Sequence, residues 1–286
     1  MGRNGFKPLK RVLITGAARG IGKALAREFT SKGWQAVLTD IDRDLLDATR
    51  RELADDGATV WAFPLDVTDT GSILAARSAI DDEVGKITAL VNNAGTVHGG
   101  EFLDVPLERH IQTYRLNVEG VVAVTHAFMP QILDAPQGHL VFMASASGFI
   151  GLPNGATYAS SKWAVIGFAE SIRAELREQG VTRTHVTTVC PSYVDTGLFE
   201  GAAAPTATRM LRPEELAEQV VEAVEKGQVW LLTPSLVKLT PLIRNALPTA
   251  LADRISEILG VDKSMSDWSG HGGEDASVSD PRPKTD

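Results

Sequence analysis

The chain has 286 residues, 43% of them hydrophobic, and a net charge of −8 from 28 Lys and Arg against 36 Asp and Glu. That is ample for a sizeable core without disulfide or metal staples, and without a basic excess a protein built to grip nucleic-acid backbones is not expected. The single cysteine, Cys190, excludes an internal disulfide and a cysteine zinc cluster and points to a reducing, cytoplasmic setting.

From residue 10 to residue 232, short apolar runs alternate with longer amphipathic stretches. Strands are predicted at 10–15, 35–40, 58–65, 87–92, 139–144, 184–190 and 228–232. Nearly continuous Val, Ile and Leu at their centres indicates burial on both faces, as in a parallel sheet. Helices are predicted at 20–32, 43–55, 70–83, 107–133, 157–179 and 213–226, with Gly180 as a stop and Pro213 in a first turn. The alternation gives an α/β protein: a single Rossmann-type, doubly wound domain over 1–232, its central parallel sheet of about seven strands covered by helices on both faces. Residues 233–263 read as an apolar extension broken by Pro234, Pro241 and Pro248, acting as a cap beside a substrate mouth or as a subunit contact, with membrane attachment ranked below both. Residues 264–286 are polar and rich in Ser, Gly and Asp, so a disordered tail is expected. The N-terminal residues lack the apolar core of a secretory signal, and no apolar run is long enough to predict a transmembrane helix.

The first strand runs into Thr15-Gly16-Ala17-Ala18-Arg19-Gly20-Ile21-Gly22. Glycines between a strand and a helix let backbone N–H groups approach a pyrophosphate at the helix N-terminus. Asp40 ends the second strand, 18 residues past Gly22. There it can accept hydrogen bonds from a ribose and repel a 2′-phosphate, which favours NAD over NADP, with Arg19 as a small counterweight. Tyr158 and Lys162 stand four apart at the head of a long helix and share a face. An ammonium there is expected to lower the tyrosine's pKa and fit it for proton transfer to or from an alcohol oxygen. The histidines, His98, His110, His126, His139, His185 and His271, form no metal-ligand spacing, and no metal is expected.

The glycine loop, Asn92-Asn93-Ala94-Gly95 after the fourth strand, Ser145 thirteen residues before Tyr158, and Tyr158-x-x-x-Lys162 stand in one order. This set resembles the classical short-chain dehydrogenase/reductase family over roughly residues 9–232. The resemblance implies an oxidoreductase that interconverts an alcohol and its carbonyl. It implies that Gly16, Gly20, Ile21 and Gly22 cradle the cofactor, that Asp66 and Val67 lie beside its adenine, and that Asn93, Ala94 and Gly95 run along it. Asn117, in RLNVEG, matches the asparagine of a proton path to the lysine. Ser145, with Ser147 as its rival, matches the serine that bonds the substrate oxygen; Tyr158 matches the acid/base, and Lys162 the holder of the nicotinamide ribose. Pro191, Val194 and Thr196 match the turn beside the nicotinamide, although Ser192 stands where the family usually has glycine. An NADP-dependent reductase and a non-catalytic nucleotide sensor are the alternatives. The segments expected around the nicotinamide, Phe149, Ile150, Leu152, Pro153, Tyr193, Leu198 and Phe199, carry no charge to clamp an acid. A lipophilic alcohol or carbonyl is therefore the expected substrate, with 197–212 as a mobile lid and His98 as a candidate lining residue. In similar enzymes the helices corresponding to 107–133 and 157–179 pair between subunits, so a homotetramer or homodimer is expected.

Overall fold

The computed structural model describes residues 10–205 and 209–270. Seven parallel strands form one open sheet in the order β3-β2-β1-β4-β5-β6-β7. They are β1 (Arg11–Thr15), β2 (Gln35–Asp40), β3 (Val60–Pro64), β4 (Ala89–Asn92), β5 (Gly138–Met143), β6 (Thr184–Pro191) and β7 (Trp230–Thr233). Alternate side chains of β1 serve opposite layers: Val12 and Ile14 join one core, Leu13 the other. The first core is completed by α1 (Gly20–Ser31), α2 (Arg43–Asp55) and α7 (Pro213–Glu225). The second is completed by α3 (Thr70–Glu83), α5 (Gly120–Asp134) and α6 (Ala156–Glu178). Burial on both faces is why the strands read as unbroken apolar runs.

Local chemistry sets the boundaries. The Asp42 carboxylate accepts the Leu45 N–H and starts α2, and Asp69 does the same for α3 through Gly71. Gly180 turns at φ 69° just past α6, a backbone conformation that costs glycine little. The stretch predicted as one helix over 107–133 is divided into α4 (Leu107–Tyr114), a π-helical turn (Arg115–Glu119) and α5. The wider turn carries Asn117, which is fully buried. Gly120 follows it and packs so close to Val67 that a Cβ would stand 2.8 Å from the valine side chain.

Beyond β7 the chain makes a 3-10 turn (Ser235–Leu239), α8 (Thr240–Ala246) and α9 (Thr249–Ile258). Pro241 and Pro248 mark the starts of the two short helices, as their missing N–H groups allow. Among the described residues no helix is long and apolar enough to cross a membrane. The expected tail boundary at 264 needs correction. Ser264 and Met265 are buried, and Trp268 packs against the small apolar cluster that holds Met265, so the folded chain continues through residue 270. One indole and one thioether suffice to anchor a segment that is otherwise polar. The rest of the expected tail, 271–286, lies outside the described residues.

One buried group should make the fold acid-sensitive. His139 on β5 stacks on His185 and meets the edge of Trp34. Burial, with help from His185 and Lys10 and against the pull of Glu225, lowers its pKa from 6.5 to about 4. The unfolded chain therefore binds the extra proton between those values, and stability present above pH 6.5 is lost as pH falls toward 4. A His139→Phe variant keeps an aromatic ring and should lose roughly 2 kcal/mol less than the parent between pH 6.5 and 4.5, because one proton bound only by the unfolded chain is worth at most about 1.4 kcal/mol per pH unit. Identical denaturation profiles over that interval would remove His139 as the cause.

Candidate active site

All seven strands end on one edge of the sheet, and the strand order reverses between β1 and β4. A crevice opens where connections leave such a reversal in opposite directions. The glycine loop, Asp40, Asp66, Asn93, Ser145 and Pro191 all lie at or just beyond strand ends on this edge.

The glycine loop is stitched to the end of β4. Asn93 Nδ2 donates to the carbonyls of Thr15 and Gly16 at 2.9 and 3.0 Å. Thr15 Oγ1 accepts the N–H groups of Asn93 and Ala94, each at 3.0 Å. Gly16 turns at φ 65°, and a Cβ on Gly22 would stand 2.0 Å from the Gly16 carbonyl oxygen. Gly20 faces Thr196, whose side chain would lie 3.3 Å from an added Cβ. The N-terminus of α1 has, among the described residues, no side-chain cap and no acidic residue in its first turn, which leaves its N–H groups and positive dipole end to an anion. Arg19 is exposed at the N-cap position, and half-buried Ile21 packs on the core. One oxygen of Asp40 accepts the Ala18 N–H at 3.0 Å, and the other accepts the Asp42 N–H at 3.1 Å. The carboxylate is thus fixed beside the glycine loop. A helix N-terminus for a pyrophosphate and a fixed carboxylate for a ribose diol together fit a dinucleotide. Asp66 is engaged locally, accepting the Thr68 N–H at 2.8 Å and its hydroxyl at 2.7 Å, and Val67 is buried against Gly120.

A second group gathers around α6. Ser145 follows β5 and opens a 3-10 turn (Ala146–Phe149), accepting the Ser147 N–H at 3.2 Å. Its hydroxyl lies 3.5 Å from the Pro191 carbonyl. Lys162 Nζ donates to the Met143 carbonyl at 2.9 Å and stands 5.7 Å from the centre of the Tyr158 ring. Asn117 Nδ2 donates to the Thr96 carbonyl at 2.9 Å and to Ser161 Oγ at 3.0 Å, while its Oδ1 accepts the Thr96 N–H at 2.8 Å. Asn117 and Lys162 converge on Gly95, where a Cβ would lie 3.2 Å from Asn117 Oδ1 and 3.5 Å from Lys162 Nζ.

The electrostatics differ from expectation in one respect. Burial raises the Tyr158 pKa, Tyr193 adds to the rise, and the Ser145 hydrogen bond opposes it. The sequence alone predicts that Lys162 lowers it. The Lys162 ammonium instead lies against the ring and donates to Met143, and burial lowers its own pKa to about 8. In the protein alone, desolvation of the phenol sets the direction of its shift.

Ser145 and Tyr158 open onto a cavity of about 810 Å³, counting its mouth. Ile150, Leu152, Tyr193 and Phe199 line it as expected; Phe149 packs instead on Trp230. Leu236, Val237, Leu239, Ile243, Leu259 and Val261 of the C-terminal extension supply further wall. Among the described residues no charged side chain lines the cavity. Ser147 also faces it, its buried hydroxyl having no protein partner among the described residues. Ser192 replaces the family's glycine without strain, because Asn154 is the sole non-glycine with positive φ among the described residues. Val194 is buried and pairs with Leu211, which ties the end of the expected lid to the chain just before it. His98 does not line the cavity; it is buried 3.1 Å from the Thr113 hydroxyl. Cys190 is buried, and desolvation pushes its thiol up to about 12. Among the described residues no group of three His, Cys, Asp or Glu is placed to hold a metal ion. Sequence reasoning passed over the Met143 carbonyl and Ser161, the partners of Lys162 and Asn117; a backbone acceptor leaves no trace in residue type.

The family description "short chain dehydrogenase" matches residues 10–206. Human epidermal retinol dehydrogenase 2 is 34% identical over 257 residues, spanning 89% of this chain and 83% of that protein. A short-chain dehydrogenase/reductase from Burkholderia phymatum, solved with NAD, superposes with a TM-score of 0.76 at 27% identity, covering 84% of this chain and 94% of that one. An alcohol dehydrogenase from Thermococcus sibiricus, solved with 5-hydroxy-NADP, gives a TM-score of 0.70 at 25% identity, with coverage of 80% and 97%.

Proposed function

The chain belongs to the classical short-chain dehydrogenase/reductase family and is an oxidoreductase; from that premise we propose that it interconverts a lipophilic alcohol and its ketone or aldehyde with NAD(H). The observation that carries this reading is the placing of Ser145 and Tyr158 on an uncharged apolar cavity, next to a glycine loop fixed against Asn93. When bound, the dinucleotide supplies or accepts the hydride. Ser145 and Tyr158 hold the substrate oxygen, and Tyr158 gives or takes its proton. Lys162 would hold the nicotinamide ribose, while Asn117 fixes the Thr96 backbone and stands beside Lys162 at Gly95. Pro191, Val194 and Thr196 would border the nicotinamide. The relative that acts on retinol supports a lipophilic substrate.

NAD is favoured over NADP by Asp40, whose fixed carboxylate would meet a 2′-phosphate with like charge. Alcohols of graded chain length, supplied with NAD and NADP in parallel, test both parts. Long alcohols should be oxidised with NAD at least about tenfold more efficiently than with NADP, as expected from a repulsion of about 1.4 kcal/mol or more. Asp40→Asn should narrow that ratio. Oxidation of none of the alcohols would reject the substrate class, and preference for NADP would reject the cofactor.

The same proposal includes a reducing, cytoplasmic setting, supported by one buried thiol, and a homodimer or homotetramer. Leu107, Ile111, Tyr114 and Val122 are exposed at helical spacing along α4 and α5, and Trp163 is exposed on α6. A second copy covering these helices would remove that surface from water. Light scattering should report at least a dimer at micromolar concentration; a monomer there would count against it.

A further inference from the structure

The family match stops at residue 206, yet the chain beyond it lines the cavity from Leu236 as far as Ser264. Ser264 accepts a hydrogen bond from Tyr193 Oη at 2.8 Å, and its carbonyl accepts the Ala203 N–H at 2.9 Å. Met265 is buried in one cluster with Val97, Leu152 and Tyr158. Trp268 Nε1 donates to the Leu198 carbonyl at 3.2 Å. The same indole rests on the loop after β4, where a Cβ on Gly99 would lie 2.7 Å from two of its ring carbons. The Ser269 N–H reaches the Glu200 carbonyl at 3.0 Å, and Gly270 bridges to Glu200. Thus one short segment touches both the loop leaving β4 and the loop leaving β6, the second of which lines the cavity.

We propose that residues 264–270 are a strap that fixes the 193–203 loop over the substrate cavity, with Trp268 as the positioning residue that sets how large an alcohol the site accepts. The proposal rests on the oxidoreductase reading above. Tyr193 and Phe199 both line the cavity, and Phe199 meets Tyr193 and Tyr158 edge to face at 5.2 and 5.5 Å. Movement of the loop therefore alters the wall directly beside the proposed acid/base. The strap holds this wall at four points: Ser264 to Tyr193, Ser264 to Ala203, Trp268 to Leu198, and Ser269 to Glu200. Gly99 is the counterpart on the opposite loop, because only a residue without a side chain lets the indole sit down. A short alcohol needs little of this wall. A long one draws its binding from apolar contact along it.

Trp268→Ala tests the strap in the full chain. Hydrogen exchange at Ala203, whose N–H is held by the strap, should quicken at least about tenfold, while β4 and β5 keep their protection, as expected for local opening. The KM for decanol should rise about tenfold, while that for butanol shifts less than about twofold and kcat for butanol is kept, because only the long chain uses the wall. Trp268→Phe keeps a ring on Gly99 but loses the N–H to Leu198, and should fall between the parent and the alanine variant. Unchanged protection at Ala203 in Trp268→Ala overturns the strap, and so does an equal loss for butanol and decanol. If the parent protein binds NAD but oxidises neither alcohol, the functional reading fails, and the exchange result alone still decides whether the strap exists.

Discussion

Tyr158→Phe is expected to lower turnover of every accepted alcohol by at least about a hundredfold, the ordinary contribution of a positioned acid/base. The loss should fall on chemistry rather than on the fold. The ring of Tyr158 is buried among Val97, Leu152, Ala159 and Met265 and meets Phe199 edge to face at 5.5 Å; phenylalanine preserves all of that. What disappears is the hydroxyl that Ser145 hydrogen-bonds. Melting temperature and NAD affinity should stay close to the parent's. The direction of the pKa shift adds a second expectation. Burial keeps the phenol protonated well beyond neutral pH, which suits proton donation to a carbonyl. Alcohol oxidation needs the proton removed, so its rate should climb with pH while carbonyl reduction is sustained at pH 7. Comparable turnover in the Tyr158→Phe variant and the parent enzyme would remove Tyr158 from the mechanism.

Gly22→Ala should be the most damaging small substitution in the cofactor region. The added Cβ would stand 2.0 Å from the Gly16 carbonyl oxygen and 2.8 Å from Asn93 Nδ2. Neither neighbour is a flexible side-chain tip, because Asn93 is itself bonded to the Thr15 and Gly16 carbonyls. Overpacking ordinarily costs about 1–3 kcal/mol, and here the obstacle is backbone, so about 3 kcal/mol or more is expected. The loop must move to make room, which displaces the N–H groups proposed to hold the pyrophosphate. Calorimetry should show a lowered melting temperature and weaker NAD binding together. Gly151→Ala, at a loop position with open space around the missing Cβ, should be near neutral by comparison. A stable Gly22→Ala protein with full NAD affinity would show that the loop is looser than its packing indicates.

Much of this architecture was legible in the amino-acid order, because the relevant signals are local. Unbroken Val, Ile and Leu runs located all seven strands to within about two residues, the usual scatter at element ends. Pro213 and Gly180 marked helix boundaries through backbone chemistry acting within a few residues, whereas the Asp42 and Asp69 caps emerged only in the structure. The proximity of Asn117, Lys162 and Gly95 was not readable from spacing, since they are brought together by a π turn, a long helix and a strand end far apart in sequence. It was reached through resemblance. Two features escaped for physical reasons. Lys162 donates to a main-chain carbonyl, which any residue at 143 would provide. The folded segment 264–270 looked like a polar tail because composition averages over a window, whereas Met265 and Trp268 anchor it individually.

The absence of charge among the described residues of the cavity wall has a thermodynamic consequence. An alcohol and the carbonyl made from it differ by two hydrogens and share nearly the same apolar surface. A cavity that recognises its ligand by that surface grips the two partners almost equally, and such uniform binding favours neither side of the equilibrium. The poise of the free reaction follows the ratio of oxidised to reduced dinucleotide, as for any catalyst, and with the two partners bound alike the accumulating product competes for the same wall as the incoming substrate.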